Sequence, residues 1–307
     1  MGNPLDSSSY VRLMDKRLRE VSENRYAELP KMRDTFFNVV NSDSAWEEFY
    51  SIGALPDIPE FTGKLTYLGI SPGYHVKIEP KEFAGGVQSE RKLHDDKKYP
   101  VLDNIARNLG ESCDRVQEKS AVRLFTNSNS VAFDFMANEE GVSLCSSSHT
   151  TKSGTSTTTG FDNSGTSALS KTSVAATRIA MRQFRNDISE RIEAGTKLAL
   201  VVPTNLLDTA REITETPKGL DTVEGNINPL YNALQVIEYP RLDDTDSNNW
   251  WMVDFDKIKE AFVWLSRIMP EFKNVVDFET FTMKHSAYMR FAWGWKEWRT
   301  IYGQFVS

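Results

Sequence analysis

Phe281-Thr282-Met283-Lys284-His285-Ser286-Ala287-Tyr288-Met289-Arg290-Phe291-Ala292-Trp293-Gly294-Trp295-Lys296 alternates in character along its whole length. Odd positions are almost all apolar and even positions mostly polar or small, the period-two signature of a strand with one buried face. A strand through all of it would reach roughly 50 Å at about 3.3 Å per residue, well over twice the usual length. A compact globule has little use for such an element. A flat, elongated subunit does.

The chain of 307 residues, 39% hydrophobic and 26% charged, is large enough to bury a core, in one extended or two smaller domains. A formal charge of −7 and a pI near 5.3 argue against a protein whose main affinity is for nucleic-acid phosphates. Two cysteines, Cys113 and Cys145, are too few for a disulfide framework or a closed zinc site, which fits a reducing compartment. No signal peptide pattern stands at Met1, and the longest apolar run, Leu198 to Pro203, is a buried strand rather than a membrane span. A soluble protein made in a cytoplasm is expected.

Working outward, residues 10 to 37 place Tyr10, Leu13, Met14, Leu18 and Val21 at helical spacing among charges of both signs. This is a solvated amphipathic helix, or an arm that packs on a neighbour. Between Phe61 and Leu93, Leu65–Ile70, the turn Ser71-Pro72-Gly73 and His75–Glu79 read as a β-hairpin. Its many charges leave few anchors on the body, so it is expected to project. From Pro100, the residues Val101, Leu102, Ile105, Ala106, Leu109, Cys113, Val116, Ala121 and Leu124 mark a long amphipathic helix with Pro100 in its first turn. Residues 145 to 173, dominated by Ser, Thr and Gly, form an extended loop. A helix is expected from about Ser170 through Ile188. An α/β unit follows, with a strand at Leu198–Val202, a cap at Thr204 or Asn205 and a helix over Leu206–Ile213. Loops at 218–228 and 243–249 flank strands near Leu234–Tyr239 and Trp250–Phe255.

Chemistry-bearing motifs are weak. Gly69-Ile70-Ser71-Pro72-Gly73 matches the G-x-S-x-G nucleophile elbow by letter, but Pro72 has no N–H for an oxyanion hole and a strand, not a helix, follows. Cys145 and His149 lie in the Ser/Thr/Gly loop with no third group to orient the imidazole, which gives them a structural or surface role. His285 falls among the buried positions of the long strand and reads as a satisfied core histidine, whereas His75 and His94 read as exposed. Dinucleotide and P-loop glycine patterns and the H-E-x-x-H zinc signature are absent, and Asp95-Asp96, Glu139-Glu140 and Asp243-Asp244 read as solvated faces. Neither a catalytic, a cofactor nor a metal site is expected. Trp293, Trp295, Trp298, Tyr302 and Phe305 point to a core or an interface.

This order of elements resembles the major capsid proteins of tailed bacteriophages, with the Hong Kong 97-type fold. Lys81-Glu-Phe-Ala-Gly-Gly-Val-Gln-Ser-Glu-Arg-Lys-Leu-His-Asp-Asp96 is similar to the end of that family's extended loop and the start of its spine helix. Leu144-Cys-Ser-Ser-Ser-His149 with Ala168-Leu-Ser170 resembles the middle of Mu-like head subunits. Lys197–Pro203 and Trp298-Arg-Thr-Ile-Tyr-Gly303 resemble the family in the same way. The resemblance implies an α+β fold: an N-terminal arm over 1–56, an extended hairpin loop over 57–97, a peripheral domain over 98–165 and 276–299, and an axial domain over 166–275 and 300–307.

It further implies self-assembly into hexamers and pentamers of an icosahedral shell around double-stranded DNA, with scaffold, portal and decoration proteins as further partners. The DNA would be held non-specifically on the inner face, and no membrane is involved. The protein would reside in the virion after assembly in the host cytoplasm. No N-terminal scaffolding segment of the coiled-coil kind is visible, so a separate scaffold is expected, and the lysine–asparagine crosslink of the founding member finds no match. Arg12, Arg17 and Glu20 on the arm and Lys77, Lys81, Glu82 and Arg91 on the loop are the expected inter-subunit contacts, setting register. Deleting residues 1–35 is expected to prevent closed shells and leave a folded subunit. Two other readings stand beside it: an encapsulin-like nanocompartment shell of the same fold, and a hydrolase using Ser71 or Cys145.

Overall fold

The computed structural model describes residues 7–193, 197–218, 227–277, 279–280 and 282–306, without the side chains of residues 7–15, Arg91 and His94. The expected loop at 218–228 lies mostly outside them. The chain opens with α1 (Ser7–Glu28), α2 (Arg33–Phe36), β1 (Asn38–Asn41), β2 (Glu47–Ile52), β3 (Pro72–Ile78), β4 (Lys81–Glu90) and α3 (Arg91–Asp95). Next come α4 (Tyr99–Thr126), β5 (Met136–Asn138), β6 (Ser164–Gly165), α5 (Lys171–Arg182), β7 (Leu198–Val202), α6 (Leu207–Glu215) and β8 (Gln235–Glu238). It closes with β9 (Trp250–Asp254), α7 (Ile258–Ala261), β10 (Phe262–Val276), β11 (Thr282–Trp295) and β12 (Ile301–Gln304).

The alternating stretch is one strand, β11, 14 residues long. Every odd residue from Met283 to Trp295 is buried, so the pleat sets the face as the sequence pattern requires. β11 is sandwiched between β10 and β4, and with β1 these make a four-stranded sheet in the order β1-β10-β11-β4. Phe291 stacks between Phe83 on β4, at 4.5 Å, and Trp264 on β10, at 4.9 Å. Such cross-strand aromatic contacts fix register.

β10 spans 15 residues despite Pro270. Its pairing with β11 slips between Ser266 and Ile268 and again between Ile268 and Glu271. These bulges place the proline, which has no N–H to give, outside the regular ladder.

The amphipathic helix expected from Pro100 is α4, with Leu102, Ala106, Leu109, Cys113, Gln117, Ala121 and Leu124 on its buried stripe. α1 packs on it. Leu18, Leu102 and Ala106 form a small core, and Ser22 Oγ donates to the Ala106 carbonyl at 2.8 Å. Gly110 permits the approach, because a Cβ there would stand 2.6 Å from the Ser22 carbonyl oxygen. Arg17 and Arg25 reach Asp103 and Glu111 at 2.7 and 2.6 Å along the same seam. The part of α1 from Arg17 onward is therefore docked on its own subunit. Removing residues 1–35 would take away buried Tyr26 and Arg33 and uncover the α4 stripe, so that truncation damages the fold rather than freeing an arm.

The α/β unit builds a second sheet, β6-β12-β9-β7-β8, with β7 and β9 buried at every residue. Ser170 and Ser173 form a reciprocal cap that starts α5, which stops at Arg182, short of the expected Ile188. Inside the Ser/Thr/Gly-rich loop, Cys145, His149, Phe161 and Asn163 are buried, so this segment is anchored in the core where no packed element was expected.

The third sheet, β2-β3-β5, corrects the expected hairpin. Leu65–Ile70 forms no strand, and Pro72-Gly73 begins β3 instead of turning between two strands. The partner of β3 is β2, antiparallel from Glu47↔Ile78 to Ile52↔Pro72, with residues 53–71 as the long connection. β3 does not pair with β4, which belongs to the large sheet. The hairpin is thus rooted upstream of where turn chemistry placed it.

Candidate assembly surface

Residues 53–71 carry no helix or strand. Pro56 and Pro59 remove two backbone donors, and Gly63 and Gly69 add backbone freedom, so the segment is extended without being a strand. Its apolar side chains find no core: Ile58 is 88% exposed, Phe61 72% and Tyr67 91%, with Leu55, Leu65 and Ile70 also exposed. Trp46, just before β2, and Tyr50 and Ile52 on it are exposed as well. Scattered exposed leucines need no explanation, but this many large apolar groups on one projecting hairpin mark an interaction surface.

The charged residues expected at contacts lie elsewhere and have internal partners. Arg17 pairs with Asp103, Glu20 with Lys16 at 3.7 Å, Lys77 with Glu79 at 3.7 Å, and Glu82 with Arg290 at 3.5 Å. Lys81 lies over the Phe135 ring at 5.2 Å, and Lys77 also covers Trp46. The side chains of Arg12 and Arg91 lie outside the described residues. Sequence reasoning missed the apolar residues between Trp46 and Ile70, although large hydrophobics interrupted by Pro56, Pro59, Gly63 and Gly69 were the available signal.

Where α1 and α2 join α4, a buried polar cluster forms. Arg33 donates from Nη2 to the Tyr26 hydroxyl at 2.9 Å and from Nη1 to Gln117 Oε1, and its backbone N–H reaches Glu118 Oε1 at 3.4 Å. Asp114 joins them with Oδ1 buried and without a hydrogen-bond partner among the described residues. Burial raises both carboxyls, Asp114 and Glu118, above their ordinary range, and the Arg33 guanidinium offsets only part of this. A carboxyl raised on folding binds protons more tightly folded than unfolded. Its favourable contribution is present at low pH and is lost as pH rises through the folded value. Asp114→Asn is therefore expected to melt above the wild type at mildly alkaline pH. The gap should close as pH falls toward the ordinary aspartate value of 3.8. Melting curves across pH check this; a variant less stable at alkaline pH would contradict it.

No activated nucleophile is present among the described residues. Ser71 leads into β3, not a helix, and its carbonyl accepts the Gly53 N–H. Burial pushes the Cys145 thiol up to about 12 and the Cys113 thiol up to about 11, the opposite of activation. His149 is buried, stacked on Trp298 at 4.0 Å, with Nδ1 3.1 Å from Glu140 and Nε2 3.2 Å from Asn163. His285 is buried between Ser89 at 3.2 Å and Asn274 at 2.9 Å. Exposed His75 pairs with Glu139, whose carboxyl is held down to about 2 by the Lys152 ammonium and the His75 N–H. No group of three metal-ligating side chains and no helix able to cross a membrane occurs among the described residues.

A profile of the phage capsid protein family matches residues 76–303, most of the chain. The chain belongs to that family. No curated protein sequence matches it. Solved structures give the fold. The capsid of a native GTA particle is similar at a TM-score of 0.54 and 12% identity, covering 91% of this chain and 92% of that one. The mature capsid of bacteriophage PhiM1 gives 0.55 at 10% identity over 91% and 88%. The procapsid of bacteriophage JBD30 gives 0.51 at 12% identity over 100% and 77%. The capsid protein thus has the Hong Kong 97-type α+β shell fold. By its family it is a capsid protein, a component of a virion.

Proposed function

We propose that this capsid protein is the head subunit of a tailed phage, assembling from hexamers and pentamers into a closed icosahedral shell around double-stranded DNA in the host cytoplasm. It acts by burial and not by catalysis. The observation that carries the reading is the concentration of exposed large apolar side chains over 46–70, where elsewhere on the described surface such side chains are scattered. Burying one such side chain contributes about 1.5–3 kcal/mol, whereas fixing each backbone residue costs about 1–2 kcal/mol. The two nearly offset, so one contact is weak and the repetition of the shell supplies stability. Arg17, Glu20, Lys77, Lys81 and Glu82, each partly exposed, serve at the rim to set register and reject wrong neighbours. The division into an arm over 1–56, an extended loop over 57–97, a peripheral domain over 98–165 and 276–299 and an axial domain over 166–275 and 300–307 belongs to this proposal, although the sheet β1-β10-β11-β4 draws a strand from each of the four. Scaffold, portal and decoration proteins are the further partners. Electron microscopy of the chain expressed alone is expected to show rings or closed shells. Particles from infected cells should carry the absorbance ratio of DNA; an enzyme cargo instead would favour a nanocompartment, and a monomer with any companion protein would refute both.

A further inference from the structure

The hairpin leaves the body through polar contacts that use none of its apolar side chains. Gly53 N–H donates to the Ser71 carbonyl at 2.9 Å, closing the root where β2 ends. Ala54 N–H donates to Asp187 Oδ1 at 2.9 Å, a residue 133 positions on in sequence. Asp187 sits in the turn 185–191 that follows α5, and this turn is braced from several sides. Asn186 N–H donates to the Glu190 carbonyl at 2.8 Å, and Asn186 Oδ1 accepts the N–H groups of Ile188 and Glu190 at 3.2 and 2.8 Å. Arg185 Nη1 donates to the Ser189 carbonyl at 2.6 Å, and Arg299 Nε donates to the Arg185 carbonyl at 2.7 Å. Ser189 holds φ of 66°, a left-handed conformation that the bracing has to maintain.

A strap completes the arrangement. Ser153 Oγ donates to the Asp187 carbonyl at 2.6 Å, and its loop is tied to β3 where the Tyr74 hydroxyl meets Thr150 Oγ1 at 2.8 Å. A cleft of about 250 Å³ lies between these segments. Gly53 is required here for space, because a Cβ would stand 2.2 Å from Asp187 Oδ2 and 2.6 Å from the Ser71 carbonyl.

A segment without secondary structure or apolar packing of its own has only its root to fix where it points. Nine or ten extended residues reach roughly 30 Å, so a swing of about 15° at the root would move the tip by roughly 8 Å. That exceeds the spacing of about 4.8 Å between neighbouring strands, enough to lose register with a partner. We propose that the turn 185–191 is a latch that aims the hairpin, with Asp187 its positioning residue, so that the apolar side chains of 53–71 meet the next copy in register. The latch deepens the assembly role given to the hairpin and rests on it.

The test labels Lys64→Cys on the hairpin and Arg182→Cys at the end of α5 with spin probes, since the native Cys113 and Cys145 are buried. Asp187→Ala is expected to broaden the inter-label distance distribution about twofold while the melting temperature stays within about 2 °C. The same variant should yield open or irregular particles. Asp187→Asn retains a carbonyl acceptor for the Ala54 N–H and is expected to restore both the narrow distribution and closed shells. An unchanged distribution with normal shells in Asp187→Ala overturns the latch. If that variant does not fold, Ser153→Ala decides, broadening supporting the latch and an unchanged width overturning it. Tyr67→Asp separates the two levels of argument. Should it assemble normally, the hairpin's role itself fails; should it block assembly while Asp187→Ala assembles normally, only the latch fails.

Discussion

Asn163→Ala is expected to leave the subunit unable to fold at physiological temperature, or to lower its melting temperature by more than about 10 °C. Asn163 has no exposed surface, and its side chain serves five groups. Nδ2 donates toward the carbonyls of Leu144, Trp298 and Ile301 at 2.8, 3.3 and 3.1 Å. Oδ1 accepts the Ser146 N–H at 2.7 Å and faces His149 Nε2 at 3.2 Å. These partners belong to the Ser/Thr/Gly loop and to the segment carrying Trp298 and β12. The amide is what joins them. Alanine strands several buried polar groups at about 1–3 kcal/mol each, against a total stability of about 5–15 kcal/mol. It also loosens His149, whose stack on Trp298 and bond to Glu140 depend on the loop staying in place. Asn163→Asp keeps the shape but removes the donors toward the Leu144, Trp298 and Ile301 carbonyls and buries a carboxylate across the His149 ring from Glu140, so it should be nearly as damaging. Solubility and thermal melts followed by circular dichroism check both variants; a loss below about 1 kcal/mol would show that the loop is held by something else.

The regular half of the fold was legible because its residues repeat with the period of their element. Met283 to Trp295 at period two and Leu102 to Leu124 at three- and four-residue spacing each report one buried face. β10 escaped because its first half, Phe262-Val-Trp-Leu265, is buried on both faces and shows no alternation, while Pro270 argues against a strand unless a bulge is known. The pairing of β2 with β3 across residues 53–71 was invisible for a different reason. Local turn chemistry at Ser71-Pro72-Gly73 suggested a tight hairpin, and only tertiary pairing shows that β4 joins β11 instead. The anchors Cys145, His149, Phe161 and Asn163 follow no period at all. Composition correctly marks their segment as loop, but single residues that satisfy distant backbone groups leave no pattern in one sequence. The candidate assembly surface was half legible: a projecting loop was expected, and attention to charge singled out Lys77, Lys81 and Glu82, while the large apolar side chains exposed over 46–70 carry no period that marks them in one sequence.

That contrast fixes the second large effect, on assembly and not on folding. Ile58→Asp combined with Tyr67→Asp is expected to give a monomer that melts within about 2 °C of the wild type and forms no closed shells. The folded subunit is spared because neither side chain contributes to its core, at 88% and 91% exposure. In a shell, the same positions are to be covered by a neighbouring copy, where an unpaired carboxylate costs several kcal/mol. Every 1.4 kcal/mol shifts an association constant tenfold, and the penalty recurs at each copy of the contact. Weak individual contacts make the shell sensitive to this, since none has stability to spare. Charge reversal at Glu82→Lys should act differently. Its pair with Arg290 is half-exposed, so the change is worth at most about 1 kcal/mol and its effect on assembly should fade as salt is raised. Sedimentation velocity with electron microscopy at two ionic strengths distinguishes these outcomes. Closed shells of normal size from the double aspartate variant would mean that the hairpin does not lie between copies, and an effect of Glu82→Lys as large as that of the double variant would return the interface to the charged face of the body.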